Sequence, residues 1–220
     1  MIRYLSHAFG AKVPVYGKGP VTLEVPEVRS LRKGDTCRTH RLEIGNHTGT
    51  HVDAPAHFSS RGRSVSDYPA DFWVFNKPFV ARVRLGPGEL LMPGHLERPI
   101  PKDADLVLFR SGWSKRRMSA SYAIEGPGVH ASMADHLRKS APKVRAIGMD
   151  WISLSSFQKR EEGRTAHRAF LCPDPKARPI LLIEDMDLSG ADSKLKEVWV
   201  CPLRVEAADS APCTVLAVSA

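Results

Sequence analysis

Residues 46–58 read Asn-His-Thr-Gly-Thr-His-Val-Asp-Ala-Pro-Ala-His-Phe, which puts His47, His51, Asp53 and His57 close together in a chain with only nine histidines among 220 residues. Imidazole nitrogens and a carboxylate, with no thiolate among them, suit a borderline divalent cation such as zinc or manganese. Such a cation polarises a carbonyl and lowers the pKa of water from 15.7 toward about 7, which is the chemistry of hydrolysis. A helical H-E-x-x-H zinc motif is excluded, because no glutamate stands between His47 and His51.

The spacing also constrains the backbone that must present these groups. All four occupy odd positions, so an extended chain would carry them on one face. A helix would turn Asp53 about 200° away from His51, and Pro55 would clash with its preceding turn. The pattern therefore predicts a strand running into a loop, with Leu42 and Ile44 pointing the other way into a core. A straight strand would hold His47 and His51 roughly 13 Å apart. The chain must bend between them, and Gly49 is the residue that can. His57 lies on the same face beyond the ligand group and can titrate near neutral pH, which makes it the candidate to move protons.

The string His47-x-Gly49-Thr50-His51-x-Asp53-x-Pro55-x-His57 resembles the signature of the metal-dependent cyclase and kynurenine formamidase family, which includes isatin hydrolases. That resemblance implies a swivelling β/β/α fold assembled as dimers or larger, and hydrolysis of a C–N bond in an aryl formamide or a cyclic amide. It also implies that His167 and Glu184 complete a second metal site, with Asp53 shared between two ions, and that His57 is the acid/base. Val13-Pro14-Val15-Tyr16-Gly17 is similar to the family segment that places an aromatic residue near the site, so Tyr16 becomes a candidate substrate wall. Arg110-Ser111-Gly112-Trp113 resembles a turn beside the metal site. The interval from His167 to Glu184 is longer than in the relatives, with residues 172–177 reading as an inserted loop.

The remaining chain reads as a single strand-rich α/β domain over residues 1–220, with a central mixed sheet or partial barrel and a few flanking helices. Residues 79–85 alternate like a half-buried strand. Residues 105–110, 145–150 and 180–184 are apolar runs, as expected of strands covered on both faces. Val129, Met133 and Leu137 mark the best amphipathic helix, at 129–141, with His130 and His136 on its exposed side. Phe72, Trp73 and Phe75 read as core residues that could flank the site. Glu184 directly follows four apolar residues, where burial without a cation would be costly; Asp185 and Asp187 read as turn residues. Two more strands, at 198–203 and 213–218, are joined by a polar loop containing Asp209 to Pro212.

Composition limits the alternatives. A hydrophobic share of 42% with 25% charged residues describes a folded globule rather than a disordered chain. No apolar run approaches the ~20 residues of a membrane span, and residues 1–7 lack a signal-peptide core, so a cytoplasmic protein is expected. The net charge of +8 is dispersed among acidic residues without an aromatic stripe, which argues against nucleic acid. Cys37, Cys172, Cys201 and Cys213 form no C-x-x-C pair and read as reduced and mostly buried. Besides a hydrolase of amides, esters or lactones, the sequence admits a non-catalytic metal-binding or basic interaction protein on the same fold.

Overall fold

The computed structural model describes residues 1–10, 13–17, 19, 23–172, 177–192 and 194–220. Residues 173–176, within the stretch that the sequence reads as an inserted loop, lie outside the described residues. Among the described residues, nine strands form one mixed sheet and three segments are α-helical. The sheet runs Val74–Phe75, Leu195–Pro202, Ser210–Ser219, His51–Asp53, Leu181–Glu184, Ala146–Met149, Leu106–Arg110, Pro78–Arg82, and Ile2–Tyr4 also pairs with Ser210–Ser219. The strands at the two ends of this order are separated in sequence by Asn76 and Lys77 alone. The sheet must therefore curl until its ends meet, which gives the partial barrel that the sequence predicts.

The apolar runs become parallel strands. Pro78–Arg82, Leu106–Arg110, Ala146–Met149 and Leu181–Glu184 pair in parallel, and the crossovers between the last three contain α1 (Ala120–Ile124), α2 (Ser132–Ser140) and α3 (Arg160–Leu171). Strand alternation divides the core into two layers. Leu106, Leu108, Leu181 and Ile183 fill the inside of the curl. Val107, Phe109, Ile147 and Leu182 face outward and pack against Met133 and Leu137 of α2 and Ala166 and Phe170 of α3. Phe72, Trp73 and Phe75 pack in or against the inner layer.

Several sequence expectations are corrected. Leu42 is 56% exposed, because Glu43–Ile44 pairs only with Leu23–Glu24 in a two-stranded ribbon that stands off the main sheet. Of the four free cysteines only Cys213 is buried; Cys37 and Cys201 are exposed, since Cys201 sits on the outward face of its strand opposite exposed Thr214. Val129 belongs to a short strand and His130 precedes α2, where its ring contacts the Ser132 hydroxyl at 2.8 Å. Ser210, Ala211 and Pro212 are strand rather than loop, opposite Asp53, Val52 and His51.

Candidate metal centre

The His51–Asp53 strand lies between Ser210–Ser219 and Leu181–Glu184, antiparallel to both, and its register sets the site. His51 faces Glu184 and Asp53 faces Leu182, so His51, Asp53 and Glu184 share the outward face of the sheet, beneath α3. Of the motif only His51–Asp53 is strand; its two ends fold back over that same face. Gly49 adopts φ +65°, a left-handed conformation open to glycine, and folds His47 back until its ring centre is 5.3 Å from that of His51. Beyond the strand, Pro55 opens a short 3-10 turn, Pro55–His57, where its missing N–H costs nothing. That turn brings the His57 ring centre to 4.3 Å from that of His47.

Helix α3 supplies one further group, His167. Glu161 and Glu162 favour its N-terminal end and Arg168 its last turn. Gly163, Ala166, His167 and Phe170 make its buried stripe. Gly163 permits close approach to the segment after Ala146–Met149, because a Cβ there would lie 2.0 Å from the Ser155 hydroxyl. His167 thereby points at the strand carboxylates.

The resulting distances describe a tight, unbalanced cluster. His51 Nε2 lies 3.5 Å from Asp53 and 3.4 Å from Glu184. His167 Nε2 is 3.6 Å from Glu184 and 3.9 Å from Asp53, and His47 Nδ1 is 3.1 Å from Asp53. His51 Nδ1 donates to the Gly49 carbonyl at 2.8 Å, and His167 Nδ1 to that of Gly163 at 2.9 Å. A carbonyl only accepts, so in the neutral rings Nε2 carries a lone pair aimed at carboxylates. His51 Nε2 and Asp53 Oδ1 are buried without a hydrogen-bond partner. Lone pair facing carboxylate is repulsive unless a cation or proton lies between, and the donor set fits a divalent ion. Two groups of ligand atoms have the required closeness: His51, Asp53 and Glu184 deep in the site, and His47, Asp53 and His57 toward its rim, with Asp53 in both.

Without an ion, protons take over that balance. Burial alone would depress His51, but Glu184 and Asp53 outweigh it and hold its pKa at about 9. His47 and His167 are likewise raised against the effect of burial, His47 mainly by Asp53 and His167 mainly by Glu184. Burial pushes Glu184 upward, yet His167 and His51 bring it well below the usual carboxylate range. Asp53 is lowered too, with His47 and His51 overcoming burial and the nearby Glu184.

Two residues of the centre are not marked by the sequence pattern. Asp209 Oδ2 lies 2.8 Å from His57 Nδ1 and 3.1 Å from His47 Nε2, while its backbone carbonyl accepts from Ala54. This fixes the His57 tautomer with Nδ1–H toward Asp209, leaving Nε2 to accept a proton. Asp185, expected at a turn, is instead buried beside Glu184 and paired with Arg117. Tyr16 does line the cavity of about 230 Å³ above the cluster, with Pro14, Phe58 and Ile152. Ser111 and Gly112 hydrogen-bond the buried Asp150.

Sheet and cluster together define an α/β protein with a histidine–carboxylate centre open to a small-molecule cavity. The chain belongs to the Cyclase family: the model described as "Putative cyclase" matches residues 4–156. It is 26% identical to Cyclase-like protein 1 of Arabidopsis thaliana, over 94% of this chain and 81% of that one. It is also 26% identical to the kynurenine formamidase of Maricaulis maris (strain MCS10), over 94% and 93% of the two chains. Isatin hydrolase A from Labrenzia aggregata, solved with benzyl benzoate, shares the fold at a TM-score of 0.80 and 22% identity, with 99% and 93% covered. Among the described residues no helix is long and apolar enough to cross a membrane.

Proposed function

We propose that this protein is a metal-dependent hydrolase that cleaves a C–N bond of a small aryl formamide or cyclic amide. His47, His51, Asp53, His167 and Glu184 would hold the divalent ion or ions, zinc or manganese, and His57 would move the proton. The observation that carries the reading is that buried His51 Nε2 and Asp53 Oδ1 make no hydrogen bond although they lie 3.5 Å apart, inside a group where the tautomers of His51 and His167 are set by main-chain carbonyls. Relatives named kynurenine formamidase and isatin hydrolase support the same chemistry.

A divalent cation supplies carbonyl polarisation and acidified water. The protein's part is placement and proton transfer. His57 Nε2 takes the proton of the attacking water and returns it to the departing nitrogen, while Asp209 holds Nδ1–H and stabilises the imidazolium. Tyr16, Phe58 and Ile152 form the apolar wall against which a flat aromatic substrate can lie.

A homo-oligomer, dimer or tetramer, belongs to this proposal. The ribbon around residues 23–44 carries Val25, Val28, Leu31 and Leu42 exposed on both sides of its turn, a surface suited to burial against another copy. Metal analysis followed by turnover of aryl formamides and lactams, with and without chelator, tests the function. Chelator-sensitive ring opening or deformylation is expected; a metal-loaded protein inert to the whole panel would refute it.

A further inference from the structure

Asp185 is a buried carboxylate that takes no part in the chemistry above, and its backbone is held in an unfavourable state. It has φ +51°, a conformation shared among the described non-glycine residues only with Ala207. Such a residue persists where its surroundings over-determine it. Its carboxylate takes a fork from Arg117, with Nε at 3.0 and 3.1 Å and Nη2 at 2.7 Å, and the Tyr122 hydroxyl donates at 2.5 Å. Its N–H donates to the Trp151 carbonyl. Its own carbonyl accepts the Thr50 hydroxyl at 2.6 Å, and that hydroxyl accepts the His7 N–H at 3.0 Å.

The position of these bonds matters more than their number. Asp185 directly follows Glu184, and Thr50 directly precedes His51, so one peptide carbonyl joins the neighbours of two groups that face each other at 3.4 Å. The Arg117 and Asp185 side chains are only 9% and 3% exposed. A buried ion pair of this kind adds little stability over apolar packing, so stability alone does not account for it.

We propose that Arg117, Asp185 and Tyr122 form a clamp that positions Glu184 and His51 toward a divalent cation; the inference rests on the reading of the cluster as a cation site. The three are positioning residues: Asp185 borders the cavity, but both of its carboxylate oxygens are taken by Arg117 and Tyr122. The clamp sets the direction of the chain as it leaves the Glu184 strand, and through Thr50 it fixes where the motif strand begins.

The test is Zn2+ affinity of metal-free protein, measured by chelator competition beside the midpoint of thermal unfolding. Arg117→Lys, which keeps the charge but loses the fork, and Tyr122→Phe are expected to weaken Zn2+ binding 10- to 100-fold, as loss of a group supporting metal ligands does. Because single changes leave a buried charge or hydroxyl unpaired, the triple variant Arg117→Met/Tyr122→Phe/Asp185→Gly is the control for folding: it removes both charges, the buried hydroxyl that Asp185 accepts from and the positive-φ strain. It should unfold near the wild-type temperature and still bind Zn2+ at least tenfold more weakly. Wild-type Zn2+ affinity in the folded triple variant would overturn the clamp. A wild-type protein that takes up no Zn2+ would instead remove the cation site on which the clamp depends.

Discussion

Adding Zn2+ to the metal-free protein at pH 7.5 should expel nearly one proton per chain from His51 alone. The magnitude follows from the placement of the ring. His51 sits 3.4 Å from Glu184 and 3.5 Å from Asp53, and these carboxylates hold its pKa at about 9 against the effect of burial. At pH 7.5 such a group is more than about nine-tenths protonated, whereas a histidine at the ordinary 6.5 would be about one-tenth protonated. A metal ligand must be neutral imidazole, so uptake and deprotonation are one event. Apparent Zn2+ affinity should then rise about tenfold per pH unit between pH 6.5 and 9, more steeply if His47 and His167, also raised, contribute. Calorimetric titration in buffers of different ionisation enthalpy counts the protons. Release of only a tenth of a proton, or affinity flat over this range, would refute the argument that carboxylates charge the site in the absence of an ion.

Other outcomes follow from the same geometry. For the metal-free protein, a folded pKa of about 9 on His51 lies above the unfolded value of 6.5, so its stabilising contribution is complete below pH 6.5 and lost as pH rises through 9. That contribution is about 3 kcal/mol, and urea unfolding in chelator at pH 6.5 and 9.5 should show a loss of that order. His57→Ala should keep bound metal and lose turnover, with Asp209→Asn lowering kcat less severely, on the 10²- to 10⁴-fold scale of general acid–base catalysis; metal analysis beside steady-state kinetics reads both. Gly49→Ala forces φ +65° on a residue with a Cβ and brings that atom 2.7 Å from the Phe9 ring. It should cost roughly 1–3 kcal/mol in thermal unfolding and weaken Zn2+ binding by unbending His47.

Much of the site was legible because its chemistry is local. Four groups within one short stretch, punctuated by Gly49 and Pro55, carry both the donor set and the bend that gathers it. His51 and Asp53 share one face of an extended strand, as their spacing predicts, but His47 and His57 reach the site through a left-handed turn and a 3-10 turn. The long apolar runs gave the parallel strands, since burial on both faces leaves a continuous pattern. Asp209 was hidden because 152 residues separate it from His57 and it precedes Ser-Ala-Pro, a string that reads as loop. Pro212 is tolerated in the sheet as the edge of the pairing passes to the Cys213 N–H, which reaches the Thr50 carbonyl. Asp185 looked like the end of a strand meeting water, and only tertiary structure supplies Arg117 and Tyr122. Leu42 misled because alternation shows that one face is apolar without showing what stands opposite.

The central claim is that His51, Asp53 and Glu184, with His47 and His167, surround a divalent cation. Anomalous diffraction at the zinc edge, from crystals of the protein grown with Zn2+, tests it most directly. The account predicts an anomalous peak within ligand distance of His51 Nε2, Asp53 and Glu184, with Asp53 shared if a second peak lies toward His47. Ordinary solvent in that position, with His51 hydrogen-bonded straight to the two carboxylates, would contradict it.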